Sequence, residues 1–306
     1  MRGSRSWLAN AAAAGGTALD RPDLWLPASL GSIVYLAWLP LMLTVAALPT
    51  ASDLAFLGVR LLSSGAFPWN VVLLAALATL AVLSACLLAG LAEAAMLHAA
   101  GNGTRERSLA RETEATFSVL LIASLPAVAV ATMLVSGIAA VAPAEYGAPD
   151  IGGPLLLRII RHLVPLLVAL FAFAVIGQAF GVVALRRAVG ERAVSVGAAL
   201  RGALLDLFAR PLRRLGTAVA SLLIDLSALV LATALLGVLW APIRVELAAG
   251  QLISPQALLL LVGFVAVWLA LVLAFGALHV WVSAWWSLEL GLAGEGARPA
   301  AQEANP

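Results

Sequence analysis

Three polar residues lie deep inside apolar stretches of the sequence, where polar and ionisable groups are costly and are therefore candidates for function. Asp225 lies about ten residues, or roughly 15 Å, beyond the start of one apolar stretch. His279 lies about ten residues before the end of another, and Gln178 about seven before the end of a third. We expect these side chains to meet at one level of a helical bundle, where an Asp–His pair could relay a proton or hold a cation. The alternatives are a buried hydrogen-bonded tie or, for His279, an interfacial position beside Trp281.

Two arginines at the start of an apolar stretch form a second candidate site. Arg158 and Arg161 are three residues apart, so they share one helix face and could bind an anionic headgroup or substrate. A simple anchor at the membrane interface is the alternative. Glu93 lies close to the end of its own apolar stretch, and we expect its carboxylate to reach water.

A pair of glycines predicts close helix packing. Gly177 and Gly181 form a Gly-x-x-x-Gly motif in an apolar stretch, which lets a neighbouring helix approach closely. The motif serves packing within one chain or between chains, so an oligomer is compatible with it. We assign it no other function.

The sequence lacks the motifs of familiar enzymes and metal proteins. It has no phosphate-binding Gly-x-x-x-x-Gly-Lys run, no His-Glu-x-x-His and no Gly-x-Ser-x-Gly nucleophile turn. Its single cysteine, Cys86, forms no disulfide framework or cysteine metal site within one chain. We therefore predict a protein that is not an enzyme and that has no metal and no cofactor.

The composition is that of an integral membrane protein. Hydrophobic residues make up 63% of the 306 residues and charged residues 11%, whereas a soluble domain has about 25% charged residues. The formal net charge of +2 is too small to indicate nucleic-acid binding. All 18 basic residues other than histidine are arginine, which is typical of a GC-rich bacterial genome. We expect a bilayer partner and a place in the bacterial cytoplasmic (inner) membrane.

Six stretches are long and apolar enough to cross a bilayer as helices of about 20 residues. The sequence thus predicts an all-α, polytopic bundle of six transmembrane helices with short amphipathic interfacial helices. Ser254 followed by Pro255 marks one helix start, and Pro40 and Pro126 are expected to kink their helices. The predicted spans are 24–48, 69–98, 116–141, 155–185, 215–240 and 257–290.

The arginines predict the orientation of these spans. With the N-terminus in the cytoplasm, 14 arginines lie on the cytoplasmic side and 4 on the outer side, as the positive-inside rule requires. Both termini are then cytoplasmic. We divide the chain into a cytoplasmic interfacial segment (1–20), the six-span bundle (21–290) and a disordered cytoplasmic tail (291–306). The outer segment 53–62 is too short to span and is expected to be interfacial or re-entrant.

The cytoplasmic linker 186–214 is predicted to contain an amphipathic helix. Its apolar residues recur at helical spacing, and the helix should end before Pro211. These apolar residues are Leu200, Leu204, Leu207 and Phe208. The helix would either lie in the membrane interface or dock a soluble protein partner.

Long spans with small residues, joined by Arg-rich amphipathic linkers, resemble six-span bacterial membrane proteins of unknown function. Similar domains are found fused to glycerophosphodiester phosphodiesterases. The resemblance implies a membrane module. It lends no support to phosphodiesterase activity, because the soluble phosphodiesterase needs histidine and acidic metal ligands. The three histidines of this chain, His98, His162 and His279, all lie in or beside predicted spans.

Two functions are compatible with this plan. The first is a non-enzymatic integral membrane module, a scaffold or accessory subunit of a bacterial membrane complex. The second is a transport protein, such as the permease subunit of an ABC-type exporter, which would need a separate ATPase as partner at the linker 186–214. A membrane-embedded lipid enzyme is disfavoured, because no cluster of acidic residues and histidine is predicted at an interface.

Overall fold

The computed structural model describes residues 6–46, 53, 56, 59–60, 63–99, 109–148, 154–190, 195–249 and 254–291. Of these residues, 93% are helical and none lies in a strand, which confirms the all-α prediction for this part of the chain. The main helices are α1 (Trp7–Asp20), α2 (Trp25–Ser32), α3 (Leu39–Val45), α4 (Trp69–Ala99), α5 (Leu109–Gly147), α6 (Leu155–Gly190), α7 (Val196–Ala209), α8 (Pro211–Ala248) and α9 (Pro255–Leu290).

Five helices, α4, α5, α6, α8 and α9, are long and apolar enough to cross a membrane. They confirm five of the predicted spans as helices, although most of them extend beyond the predicted ends. Helix α5, for example, has 39 residues, whereas about 20 suffice to cross the hydrocarbon core. At the start of α9 the Ser254 hydroxyl accepts a hydrogen bond from the Ala257 amide, so the predicted cap is confirmed.

The first predicted span is not one continuous α-helix. A 3₁₀ turn (Pro22–Leu24) leads into α2, and a π-helical turn (Ile33–Ala37) separates α2 from α3. Pro40 has no N–H to bond to the preceding turn, which explains a break close to this position. The Trp268 indole on α9 donates to the Ala37 carbonyl at 3.2 Å and so satisfies a group at the break. We call α2, the π-helical turn and α3 the first segment.

The first segment and the five long helices pack around a common centre. The first segment contacts α4, which packs on α5, and α5 packs on α6. Helix α6 contacts α8, α8 packs on α9, and α9 returns to the first segment at α2. Six helical segments therefore form a closed ring.

The two sides of this ring differ in the size and polarity of their side chains. Large apolar side chains, such as Leu77 and Leu80 on α4, face outward and are exposed. The buried positions include small and hydroxyl side chains, such as Thr116, Ala179 and Ser221. This distribution is that of helices with lipid outside, where close packing rather than water exclusion holds the helices together.

Two short helices lie at the same end of the bundle, which we call the α1 end. The Trp281 indole on α9 donates to the Ala11 carbonyl of α1 at 2.8 Å. Helix α7 confirms the amphipathic helix predicted in the linker. It begins after the Ser195 cap, whose hydroxyl accepts from the Ala198 amide, and it ends before Pro211. The predicted linker is shorter than expected, because Arg186 and Arg187 belong to α6. Most of segment 53–62 and residues 292–306 lie outside the described residues.

Candidate functional site

A cavity of about 380 Å³ lies at the centre of the ring, and all six helical segments contribute to its wall. Its volume falls within the range of small-molecule pockets, about 300–1,000 Å³. The wall is largely apolar, with Leu36, Phe173 and Phe275 among its larger side chains. The polar and ionisable groups that line it are Ser32, Cys86, Glu93, Ser124, Gln178, Arg186, Asp225, His279, Ser283 and the Trp286 indole.

Polar contacts in the cavity wall join α4, α6 and α9. Nε2 of His279 lies 2.8 Å from Oε2 of Glu93, a distance at which an imidazole N–H donates to a carboxylate. Nη2 of Arg186 lies 3.9 Å from Oε1 of the same carboxylate. We call these three residues the central triad. Glu93 thus has a cationic or donor partner on two sides, which offsets the cost of burying its charge.

The Arg186 side chain is buried and held by the serines of α9. Its Nη2 donates to the Ser283 carbonyl at 2.8 Å and to the Ser283 hydroxyl at 2.6 Å, and its Nε donates to the Ser287 hydroxyl at 3.0 Å. His279, Ser283 and Ser287 are four residues apart and therefore line one face of α9. These hydrogen bonds hold the guanidinium through Nε and Nη2 and position it toward Glu93.

Asp225 and Gln178 line the same cavity without joining this hydrogen-bonded triad. Asp225 interacts electrostatically with His279, but no described residue donates a hydrogen bond to its carboxylate. Oε1 of Gln178 is buried and has no donor among the described residues. The three residues that the sequence predicts to meet therefore share one cavity wall, and two of them offer free acceptors.

Helix counting places these groups at defined heights in the bundle. Nη1 of Arg214 donates to the Glu289 carbonyl, which gives α8 and α9 a common reference level. Asp225 lies about 16 Å from this level along α8, and His279 about 15 Å along α9, at 1.5 Å per residue. Asp225 and His279 therefore occupy one level. Gln178 lies about 12 Å beyond Arg186 on α6. It is therefore roughly one helical turn farther from the α1 end than Asp225 and His279.

The two glycines of α6 bring this helix into close contact with α5. A Cβ atom at Gly177 would lie 2.8 Å from the Ala123 carbonyl oxygen, and one at Gly181 would lie 3.0 Å from the Ala123 Cβ. Helix α5 can approach this closely only because both residues lack a side chain. Gln178 lies between them in sequence, so the same contact fixes its position.

The two arginines at the start of α6 have different surroundings, and they do not form one shared site. The Arg158 side chain is only 11% exposed and binds Glu145 of α5, through Nη2 to the backbone carbonyl at 2.9 Å and Nε to the carboxylate at 3.5 Å. His162 contacts the same carboxylate at 2.7 Å. Arg161 is exposed. Glu145 already pairs with Arg158, and Arg161 is a single arginine on the surface. The two arginines therefore do not form the expected anion site.

A second polar cluster lies at the α1 end, outside the cavity. Asn10 of α1 donates to the Glu289 carboxylate at 2.6 Å, and Nε of Arg213 donates to its other oxygen. Arg214 pairs with Asp206 of α7 at 2.6 Å. This cluster joins α1, α7, α8 and α9, and its charges are matched one to one. We therefore assign it a structural role.

Sequence reasoning missed two members of the central triad. Glu93 was expected to reach water, yet its side chain is only 12% exposed and pairs with His279. Arg186, which the sequence analysis assigns to the linker 186–214, belongs to α6. The one available signal was the helical spacing of His279, Ser283 and Ser287, which indicates a polar face on the last helix.

The described residues of this site do not include a set of metal ligands. Among the described residues, no three His, Cys, Asp or Glu side chains are grouped so that they could hold a metal ion. The ordered hydrogen bonds of the triad and the free acceptors beside it suit a small molecule with one polar end.

Comparisons with known proteins add no relative. No family model matches the chain, and no match is found among curated proteins or solved structures. The fold and the site define a multi-pass helical membrane protein, and the resemblance to six-span bacterial membrane modules stays a prediction.

Proposed function

We propose that this chain is a non-enzymatic multi-pass protein of the bacterial inner membrane whose central cavity binds a small amphipathic molecule. The observation that carries the proposal is a cavity of about 380 Å³ with unpaired polar atoms in its wall. An ionisable group at membrane depth costs roughly 2.5–3.5 kcal/mol on insertion scales. A bundle that served only as a scaffold would be more stable without Asp225.

We propose further that the first segment is a sixth span and that the α1 end faces the cytoplasm. The 24 residues from Pro22 to Val45 are helical apart from a single turn residue, Trp38, and at about 1.5 Å per residue they are long enough to span. The arginines support the orientation, since among those in the described residues only Arg60, Arg158, Arg161 and Arg244 lie toward the opposite end.

Binding is tested with 1-adamantanol, a compact neutral probe with one hydroxyl group. Equilibrium dialysis of the radiolabelled probe against the chain in lipid nanodiscs, with empty nanodiscs as blank, should show a saturable component. Ala127 lines the cavity on α5, and Ala129 is exposed on the same helix. Ala127→Phe should weaken saturable binding at least about tenfold by occupying the space of the probe. Ala129→Phe is the matched control and should leave binding unchanged.

Two results would overturn this proposal. The first is the absence of any saturable component with the unmodified chain. The second is equal binding to the Ala127→Phe and Ala129→Phe variants, which would place the probe outside the cavity.

One observation favours the second candidate function, a permease subunit. Helix α7 is fixed to α8 by the Arg214–Asp206 pair, and it exposes Leu204, Leu205 and Phe208. A helix with this attachment could pass the motion of an ATPase to the bundle. Purification in mild detergent separates the candidates, because a permease should co-purify with an ATPase in stoichiometric amount, whereas a self-contained binding protein should not.

A further inference from the structure

We infer that the ligand of the central cavity is an organic cation, a protonated amine carried on a compact apolar body. The inference rests on the proposed function, since it assigns the chemical class of the molecule that the cavity binds. It follows from three features of the wall: its charge balance, its free hydrogen-bonding atoms and the shape of its apolar part.

The charge balance of the wall favours a cation. Two carboxylates, Glu93 and Asp225, face one guanidinium, Arg186, and one imidazole, His279. Glu93 is matched by its contacts to His279 and Arg186, whereas the Asp225 carboxylate has no hydrogen bond or salt bridge from a described residue. An ammonium group would neutralise it.

The free hydrogen-bonding atoms of the wall point to a donor. Neither the Asp225 carboxylate nor the buried Oε1 of Gln178 receives a hydrogen bond from a described residue. Both atoms accept only, and an ammonium group supplies N–H donors and no acceptor. Asp225 and Gln178 lie about one helical turn apart in height. Among the described residues of the wall, the Trp286 indole N–H is a fully buried donor without a partner, which leaves room for an oxygen on the ligand but supplies no charge for an anion.

An anion fits the wall poorly because two of the three nitrogens of the Arg186 guanidinium already have partners. Nε and Nη2 of Arg186 donate to Ser287 and Ser283, and Nη2 also faces the Glu93 carboxylate. A bound carboxylate or phosphate would lie beside two acidic groups, Glu93 and Asp225. A bare metal cation would leave most of the wall unused, because that wall consists of groups such as Leu36, Phe173 and Phe275.

The apolar part of the wall suits the body of such an amine. Phe275 lies four residues before His279 on α9, so that its ring is one turn from the charged level. Phe173 lies five residues before Gln178 on α6, farther from the α1 end. The ammonium would bind at the level of Asp225, with the apolar body directed away from the α1 end and toward these rings.

Three probes with the same cage test the charge preference: 1-adamantylamine, 1-adamantanol and 1-adamantanecarboxylate. We expect the amine to bind at least about tenfold more tightly than the alcohol, and the carboxylate more weakly than the alcohol. The measurement is the same equilibrium dialysis in nanodiscs of a zwitterionic lipid, so that the bilayer itself has no preference for a cation.

Variants of Asp225 assign the preference to this residue. Asp225→Asn should bring amine binding to within about twofold of alcohol binding, and Asp225→Glu should keep much of the preference. Glu246 lies on the same helix near its far end and away from the cavity. Glu246→Gln removes one carboxylate from that helix and should change the binding of neither the amine nor the alcohol.

The outcomes separate this inference from the proposed function. Saturable alcohol binding with equal or weaker amine binding would overturn the cation assignment and leave the cavity as a binding site. An amine preference that survives Asp225→Asn would overturn the role of Asp225. Failure of all three probes to bind saturably would overturn the proposed function, and the inference with it.

Discussion

Gly276 is the position where α9 lies closest to the first segment. A Cβ atom built there would lie 2.5 Å from the Trp25 carbonyl oxygen and 2.9 Å from the Ser29 amide nitrogen, and would also collide with the Ser29 hydroxyl. The first two atoms belong to the backbone of α2, so a side-chain rotation cannot relieve the contact. Gly276→Ala must therefore push α2 away from α9.

The expected cost comes from this displacement alone. Adding methylene-sized groups to a well-packed interior costs about 1–3 kcal/mol. Replacing a glycine inside a helix with alanine also raises the helix propensity, and this gain is the same at every such glycine. A second glycine of α9 therefore serves as the reference, because the gain cancels when the two variants are compared. Gly263 is exposed, and a Cβ atom there meets nothing within 4 Å. We expect Gly276→Ala to be less stable than Gly263→Ala by about 1–3 kcal/mol.

The assay is reversible unfolding in mixed micelles with increasing sodium dodecyl sulfate, followed by tryptophan fluorescence. Both variants change one hydrogen to one methyl group in the same helix, so their difference reports the local contact. Equal stability of the two variants, or a more stable Gly276→Ala, would show that the first segment does not pack on α9 as described.

Two further predictions concern the α1 end and the topology. Glu289→Gln should lower the free energy of unfolding by about 1.5–3 kcal/mol in the same assay, because the buried carboxylate accepts from a donor on α1 and from one on α8. Glu246→Gln should change it by about 0.5 kcal/mol or less, and similar losses in both would refute the network. In a Cys86→Ala background, an impermeant maleimide added to intact cells should label Ser63→Cys and not Gly197→Cys. Labelling of Gly197→Cys from outside would reverse the proposed orientation.

Much of the fold could be predicted from the sequence because the bilayer imposes a simple length and polarity on each span. Five spans and the short helix α7 correspond to apolar stretches and to caps at Ser195 and Ser254. The break in the first segment could not be predicted in detail. Pro40 indicates a kink but not a π-helical turn, and the turn ends at Ala37, whose carbonyl accepts a hydrogen bond from Trp268, 231 residues away in sequence.

The site was predictable only in part because a single sequence does not show which helices are neighbours. The cost of intramembrane polar groups singled out Asp225, His279 and Gln178, and the structure places them on one cavity wall. The position of Glu93 near the end of its helix does not indicate that its side chain points inward to His279 rather than toward water. In the same way, the spacing of Arg158 and Arg161 could not show that Glu145 of the preceding helix occupies the first of them.

The central claim is that six helical segments surround a binding cavity with Asp225 and Gln178 in its wall. A cryo-electron microscopy map of the chain in nanodiscs, recorded with 1-adamantylamine, tests it most directly. We expect density for the cage at the centre of the ring, with the amine within hydrogen-bonding distance of the Asp225 carboxylate. A ring without a central cavity, or a cavity filled by a lipid chain while the amine binds elsewhere, would contradict it.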